Sequence, residues 1–230
     1  MNLKNEKNAK RGFTLVEVLL VLAIVGIIAA FVIPLVISHA NKTQLTSALQ
    51  KTSNTFTNMV NHAQADVKME AWDFNSTTPE FVAAYVLPYI NIAKDCGMTD
   101  TGCFADTYIT NNTGGASISN DYYKVALTDG TAMAIKLTPG CSEDNPSECV
   151  DFIVDVNASN KPNAWGKDVF QFQILNSLNA VVPYGTFDSF NSETNKWEFA
   201  EDADASDKCL NSDERYCALK IINDGWEMNY

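Results

Sequence analysis

The chain has 230 residues, 16 Lys+Arg against 28 Asp+Glu, a formal net charge of −12 and six cysteines. That length is ample for a folded domain with a real core, and 46% hydrophobic residues with 10% aromatics exclude a wholly disordered chain. The acidic balance argues against nucleic acid as the main partner, and two histidines exclude His-rich metal sites.

The first twelve residues carry Lys4, Lys7, Lys10 and Arg11 against one acid, Glu6. Phe13 to Ile37 follows, a 25-residue run in which only Thr14, Glu17, Gly26 and Pro34 are not hydrophobic. At about 1.5 Å per residue a helix of that length covers about 37 Å, enough for a bilayer core of roughly 30 Å. From Ser38 onward the sequence is polar, acidic and mixed. The order is therefore basic tail, membrane helix and acidic outer domain. Bases crowd the N-terminal flank, so the positive-inside tendency puts the N-terminus in the cytoplasm and the large domain outside. All six cysteines lie in that outer domain, where disulfides persist.

A secretory signal peptide also begins basic and then apolar. This run is longer than the usual apolar region of about 7–15 residues, and no clear small-x-small cleavage site follows it. A plain signal anchor explains length and orientation. Neither explains Glu17, because a carboxylate near a bilayer centre costs about 2.5–3.5 kcal/mol, and such a residue marks a function.

Lys10-Arg11-Gly12-Phe13-Thr14-Leu15-Val16-Glu17, followed by the apolar run, resembles the leader of type IV pilins and type II secretion pseudopilins. The resemblance covers roughly the first 37 residues. It implies that a prepilin peptidase cuts between Gly12 and Phe13 on the cytoplasmic face and that the new Phe13 amine is N-methylated. Glu17 then pairs with the Phe13 amine of a neighbouring subunit, setting register in a filament. In that family a proline placed like Pro34 marks a bend or a segment that melts, and a kink near Pro34 is expected here. Gly26 weakens the helix locally.

The helix is expected to continue to Lys68, because Leu45, Leu49, Phe56, Met59, Val60, Ala63 and Val67 recur at three- and four-residue spacing. The expected segments are a leader over 1–12, an assembly helix over 13–37, its amphipathic continuation over 38–68 and a globular domain over 69–230. After a break at Trp72-Asp73-Phe74, Thr78-Pro79-Glu80 caps a short helix running to about Leu87. Strands are predicted over Tyr122–Leu127 and Thr131–Leu137 around an Asp129-Gly130 turn, then over Val150–Val156 and Val169–Ile174. Asp188–Glu214, with nine acids and two bases, reads as a solvated loop. Ser212-Asp213-Glu214 caps a last helix through Ile222. The fold class is α+β and pilin-like: a long N-terminal helix on a small antiparallel sheet, with disulfide-bonded loops.

The cysteines fall as Cys96 and Cys103, Cys141 and Cys149, Cys209 and Cys217. Six cysteines allow 15 pairings and sequence selects none. Each close pair brackets a turn-rich loop, so local closure is the economical reading. The spacing lacks C-x-x-C, which leaves a metal reading poor.

Asn163-Ala164-Trp165-Gly166-Lys167-Asp168, then Phe170-Gln171-Phe172, is similar to the Asp-Pro-Trp-Gly-x-Pro segment and aromatic strand of major type II pseudopilins. Both prolines and the leading Asp are absent here. Asp155-x-Asn157-x-Ser159 alternates oxygen ligands as a calcium candidate, with Asn160 and Gly166 where a full loop has glycine and glutamate. No cofactor is expected, with calcium at Asp155, Asn157 and Ser159 as the one candidate. His39 and His62 read as surface residues, and no nucleophile elbow, P-loop or paired-carboxylate signature stands out, so no enzymatic activity is expected.

The resemblance implies a membrane-made filament subunit, with other copies, related pilins, the peptidase and an inner-membrane assembly platform as partners. The first reading is a type II secretion pseudopilin, single-pass in a bacterial inner membrane with its C-terminal domain periplasmic, then part of a periplasmic or cell-surface filament. The alternative is a subunit of a surface or DNA-uptake pilus, and an alternative of another class is an uncleaved membrane-anchored binding module. Direct nucleic-acid binding is not expected.

Overall fold

A computed structural model describes residues 12–99, 102–110, 115, 117–139, 141, 148–175, 179–191, 196–199 and 202–230. The basic leader residues 1–11 lie outside the described residues, as do 100–101 and 142–147 of two cysteine loops and 192–195 and 200–201 of the acidic stretch. The chain divides into two compact units, residues 1–41 and 42–230.

Helix α1 spans Leu15–Asp66 and runs through Pro34. By length and composition it is able to cross a membrane. In the first unit every described residue is exposed except the half-buried Ala29. In the second unit α1 buries Thr46, Leu49, Thr52, Phe56, Met59, Val60 and Ala63, one face at helical spacing. Two of these differ from the apolar stripe read from sequence. Thr46 and Thr52 are buried because their hydroxyls donate back to Thr43 O at 3.1 Å and Ala48 O at 2.9 Å, which leaves their methyl groups to pack. Val67 leaves the stripe: the helix ends at Asp66, two residues before Lys68, and Val67 is 40% exposed. Its carbonyl accepts from Trp72 Nε1 at 2.8 Å, so a side chain closes the helix end.

The segment read as a break is an aromatic anchor. A 3₁₀ turn at Met69–Ala71 leads into Trp72, which stacks on Tyr85 at 4.9 Å and meets Phe81 edge-on at 5.9 Å. Helix α2 spans Thr78–Tyr85, so its cap is Thr77 rather than Thr78. The Thr77 N–H and hydroxyl donate to Glu80 at 3.0 and 2.7 Å, with Pro79 in the first turn.

Six strands form one antiparallel sheet in chain order: β1 (Ile92–Gly97), β2 (Tyr123–Leu127), β3 (Ala132–Leu137), β4 (Glu148–Asp155), β5 (Val169–Leu175) and β6 (Ala180–Pro183). Alternation along the central strands separates two faces. Ile135, Phe152 and Phe172 stand in register across β3, β4 and β5. Phe56 of α1 packs on Phe152 and Phe172 at 5.0 and 5.2 Å, the centre of the main core. On the other face Ala132, Ala134, Ile153 and Val169 are covered by Phe104 and Tyr108, giving a second core.

The β2–β3 turn is held by Asp129, whose carboxylate accepts from Thr131 N at 3.1 Å and meets Lys51 of α1 at 3.0 Å. The four strands predicted from sequence are all present, with ends shifted by one or two residues. Strands β1 and β6 escaped the sequence pattern. The first is a polar edge strand, and the second is four residues long and ends in proline.

The reading of Asp188–Glu214 as a loop is corrected by the structure. The stretch holds most of a hairpin, β7 (Phe187–Asn191) with β8 (Lys196–Phe199), and the helix α3 (Asp202–Asn211). High charge hid them, yet Ala205 and Cys209 are buried at four-residue spacing, enough to seat α3. Asp213 then accepts from Arg215 N at 3.1 Å, opening a 3₁₀ turn at Glu214–Tyr216 and helix α4 (Cys217–Asn223).

Candidate functional site

The amino-terminal site begins with a local rule. Thr-x-x-Glu ahead of an apolar run is a helix start, because threonine and glutamate each satisfy the other's free backbone donor. Thr14 Oγ1 accepts from Glu17 N at 3.3 Å, while Thr14 N and Oγ1 both donate to Glu17 Oε2 at 2.8 Å. Glu17 is thereby fixed at the head of α1, one turn from Phe13. Phe13 is 87% exposed and Leu15 77% exposed, and the apolar surface continues to Ile37 at 54%. An unburied apolar surface of that extent calls for lipid or for other helices. Thr14 is the member of this site that sequence reading passed over as a capping residue, although its spacing from Glu17 carried the signal.

Residues 7–33 match the family model described as the prokaryotic N-terminal methylation motif. The chain carries the type IV pilin and pseudopilin signature. The matched segment contains Gly12, Phe13 and Glu17 and stops one residue before Pro34. The motif supports a pilin-like structural subunit, and the apolar α1 fits membrane anchoring. No curated protein and no solved structure matches it.

Within residues 42–230 three disulfides each close a local loop. Cys96–Cys103 ties β1 to the segment that covers the second core, with 6.2 Å between Cα atoms. Cys141–Cys149 joins the approach to β4 with its first residues, and Cys209–Cys217 joins α3 to α4. Short loops of this kind contribute about 2–3 kcal/mol each by restricting the unfolded chain.

Asp155, at the end of β4, is fully buried. Its Oδ2 accepts from the Tyr108 hydroxyl at 2.7 Å and its Oδ1 from Asn157 N at 3.1 Å. Burial pushes its carboxyl up to about 7, and the nearby Asp168 adds to that. Asp168, also fully buried, is raised by burial as well and accepts from Asn163 N and Ala164 N at 2.7 Å. Ser159 is exposed. Both Asp155 carboxylate oxygens accept from protein donors, the buried Asn157 Oδ1 meets no donor among the described residues, and Ser159 is exposed. Among the described residues no three His, Cys, Asp or Glu side chains gather to hold a metal.

The Asp168 carboxylate instead shapes the turn that precedes β5. It gathers the amides of Asn163 and Ala164, so the chain reverses through Trp165 and Gly166. Gly166 has φ +74°, and a Cβ there would lie 2.8 Å from Cys217 Sγ. Its carbonyl accepts from the Tyr230 hydroxyl at 2.5 Å, which ties the C-terminal residue to this turn.

Proposed function

We propose that this chain is a pseudopilin of a type II secretion system. A prepilin peptidase cuts it between Gly12 and Phe13, the Phe13 amine is methylated, and the subunit polymerises through α1. The observation that carries the reading is a single carboxylate, Glu17, at the head of a long apolar helix surface that the chain itself leaves uncovered. In lipid the cut Phe13 ammonium and the Glu17 carboxylate are each costly alone, and low dielectric strengthens their attraction when two subunits meet. The pair sets register between helices, a role buried polar groups play elsewhere. The Thr14 box gives Glu17 a partner until that neighbour arrives.

The secretion reading over the pilus reading is supported by the Trp165-Gly166 turn leading into Phe170-Gln171-Phe172 of β5. This is similar to the corresponding segment of major type II pseudopilins. The outer domain acts as the fibre's solvent-facing body, and its acidity disfavours nucleic acid as a ligand.

Deleting the chain's coding sequence tests the assignment. Loss of a secreted reporter enzyme from the medium, restored by the wild-type chain and not by Glu17→Ala, is expected. Intact secretion together with loss of surface fibres would overturn the secretion reading in favour of a pilus subunit.

A further inference from the structure

The sheet face turned away from α1 carries a polar strip. Lys136 on β3 stands directly across from Asp151 on β4. Asp151 is only 6% exposed, and Gln171 Nε2 of β5 donates to its Oδ1 at 2.6 Å. The Tyr122 hydroxyl donates to the other carboxylate oxygen. Together with Trp165 and Arg215 these side chains line an open cleft of about 400 Å³, within the range of small-ligand sites.

Charge decides what class of ligand suits it. Lys136 already faces Asp121 at 3.5 Å, and Arg215 already holds Asp213 at 2.6 Å. No surplus positive charge is left for an anion, and the net charge of −12 opposes one further. A cation has little to meet, because the Asp151 carboxylate is buried and already accepts from Tyr122 and Gln171. What the cleft offers is directional hydrogen bonding beside two aromatic rings. A sugar uses both, since its hydroxyls donate and accept while its C–H faces lie on rings. Asp151 fixes Tyr122 and Gln171 before any ligand arrives, which lowers the ordering cost of binding.

We propose that this cleft binds one neutral sugar unit of an oligosaccharide, with Trp165 as the stacking surface and Lys136 and Gln171 as polar contacts. The proposal does not depend on which filament the chain serves.

The test is calorimetric titration of the full chain, held in a zwitterionic detergent without sugar headgroups. The probes are cellohexaose, maltohexaose and chitohexaose, with hexagalacturonate as the acidic comparison. At least one neutral hexamer binds with Kd of about 1 mM or tighter, and the acidic one binds at least about tenfold more weakly. Trp165→Ala and Lys136→Gln each weaken binding by about tenfold or more. Lys136→Gln guards against misfolding, because that side chain is 39% exposed and its variant should melt with the parent. Absence of binding by all three neutral hexamers, tighter binding of hexagalacturonate, or parental affinity in a folded Lys136→Gln would overturn the proposal.

Discussion

Thr14 holds Glu17 from two donors at once, its backbone N–H and its hydroxyl, each 2.8 Å from the same carboxylate oxygen. The contact is local and satisfies the helix start with or without a charge. The proposed filament assembly, in contrast, calls on the charge itself. The two needs separate in a single substitution.

Glutamine at position 17 keeps an acceptor for the Thr14 box and removes the charge. Glu17→Gln is therefore expected to keep helix content and membrane insertion. Fibre yield, measured on sheared material, should fall at least about tenfold, in line with losing a hydrogen bond to a charged group. Parental yield would show that the charge has no part in assembly.

Phe56 and Val67 test the division of α1 between core and surface. Phe56 is fully buried between Phe152 and Phe172, so Phe56→Ala should cost about 3–5 kcal/mol. Val67 is 40% exposed and beyond the helix end, so Val67→Ala should stay within about 0.5 kcal/mol. Thermal melts of the two variants read the difference.

These two residues also show what sequence pattern reveals. Periodicity located Phe56 because burial at three- and four-residue spacing is a local property of a helix. It could not exclude Val67, whose fate was set by Trp72 capping the preceding turn, nor admit Thr52, whose hydroxyl is satisfied by Ala48 O. The Asp129-Gly130 hairpin was legible because two residues specify the turn. Helix α3 was not, because Asp202, Asp204 and Asp207 dominate its first turns. The motif at the head of α1 was legible because Gly12, Phe13 and Glu17 fall within one short stretch, inside the matched residues 7–33. The sugar cleft was not, since Lys136, Asp151, Trp165 and Gln171 meet only through sheet register and the turn before β5.

Gly166 and Gly130 share a positive φ but differ in surroundings. At Gly166 a methyl group meets Cys217 Sγ at 2.8 Å, whereas at Gly130, φ +89°, it meets nothing within 4 Å. Gly130→Ala should cost about 1–2 kcal/mol from backbone conformation alone. Gly166→Ala should cost about 1–3 kcal/mol more, because the disulfide-linked sulfur leaves no room. Denaturant unfolding at equilibrium checks the order of the two.

Asp155 predicts a pH dependence with a definite sign. Its carboxyl is raised from 3.8 to about 7 by burial, so the folded chain binds a proton that the unfolded chain has released. Its contribution is full below 3.8 and is lost as pH rises through about 7. Glu80 and Asp129 shift the other way, held low by Thr77, and by Thr131 and Lys51, and they act only at more acidic pH. Between about pH 5 and about pH 8 the melting temperature should therefore fall. Asp155→Asn should flatten that fall, and an unchanged slope would assign it to other groups.

The most direct test of the central claim is the intact mass of the chain extracted from the membrane of cells that carry a prepilin peptidase. The expected mass lacks residues 1–12 and carries one added methyl group on Phe13. A chain that keeps Met1 to Gly12 and an unmodified Phe13 would contradict assembly through a processed amino terminus and leave an uncleaved membrane-anchored domain in its place.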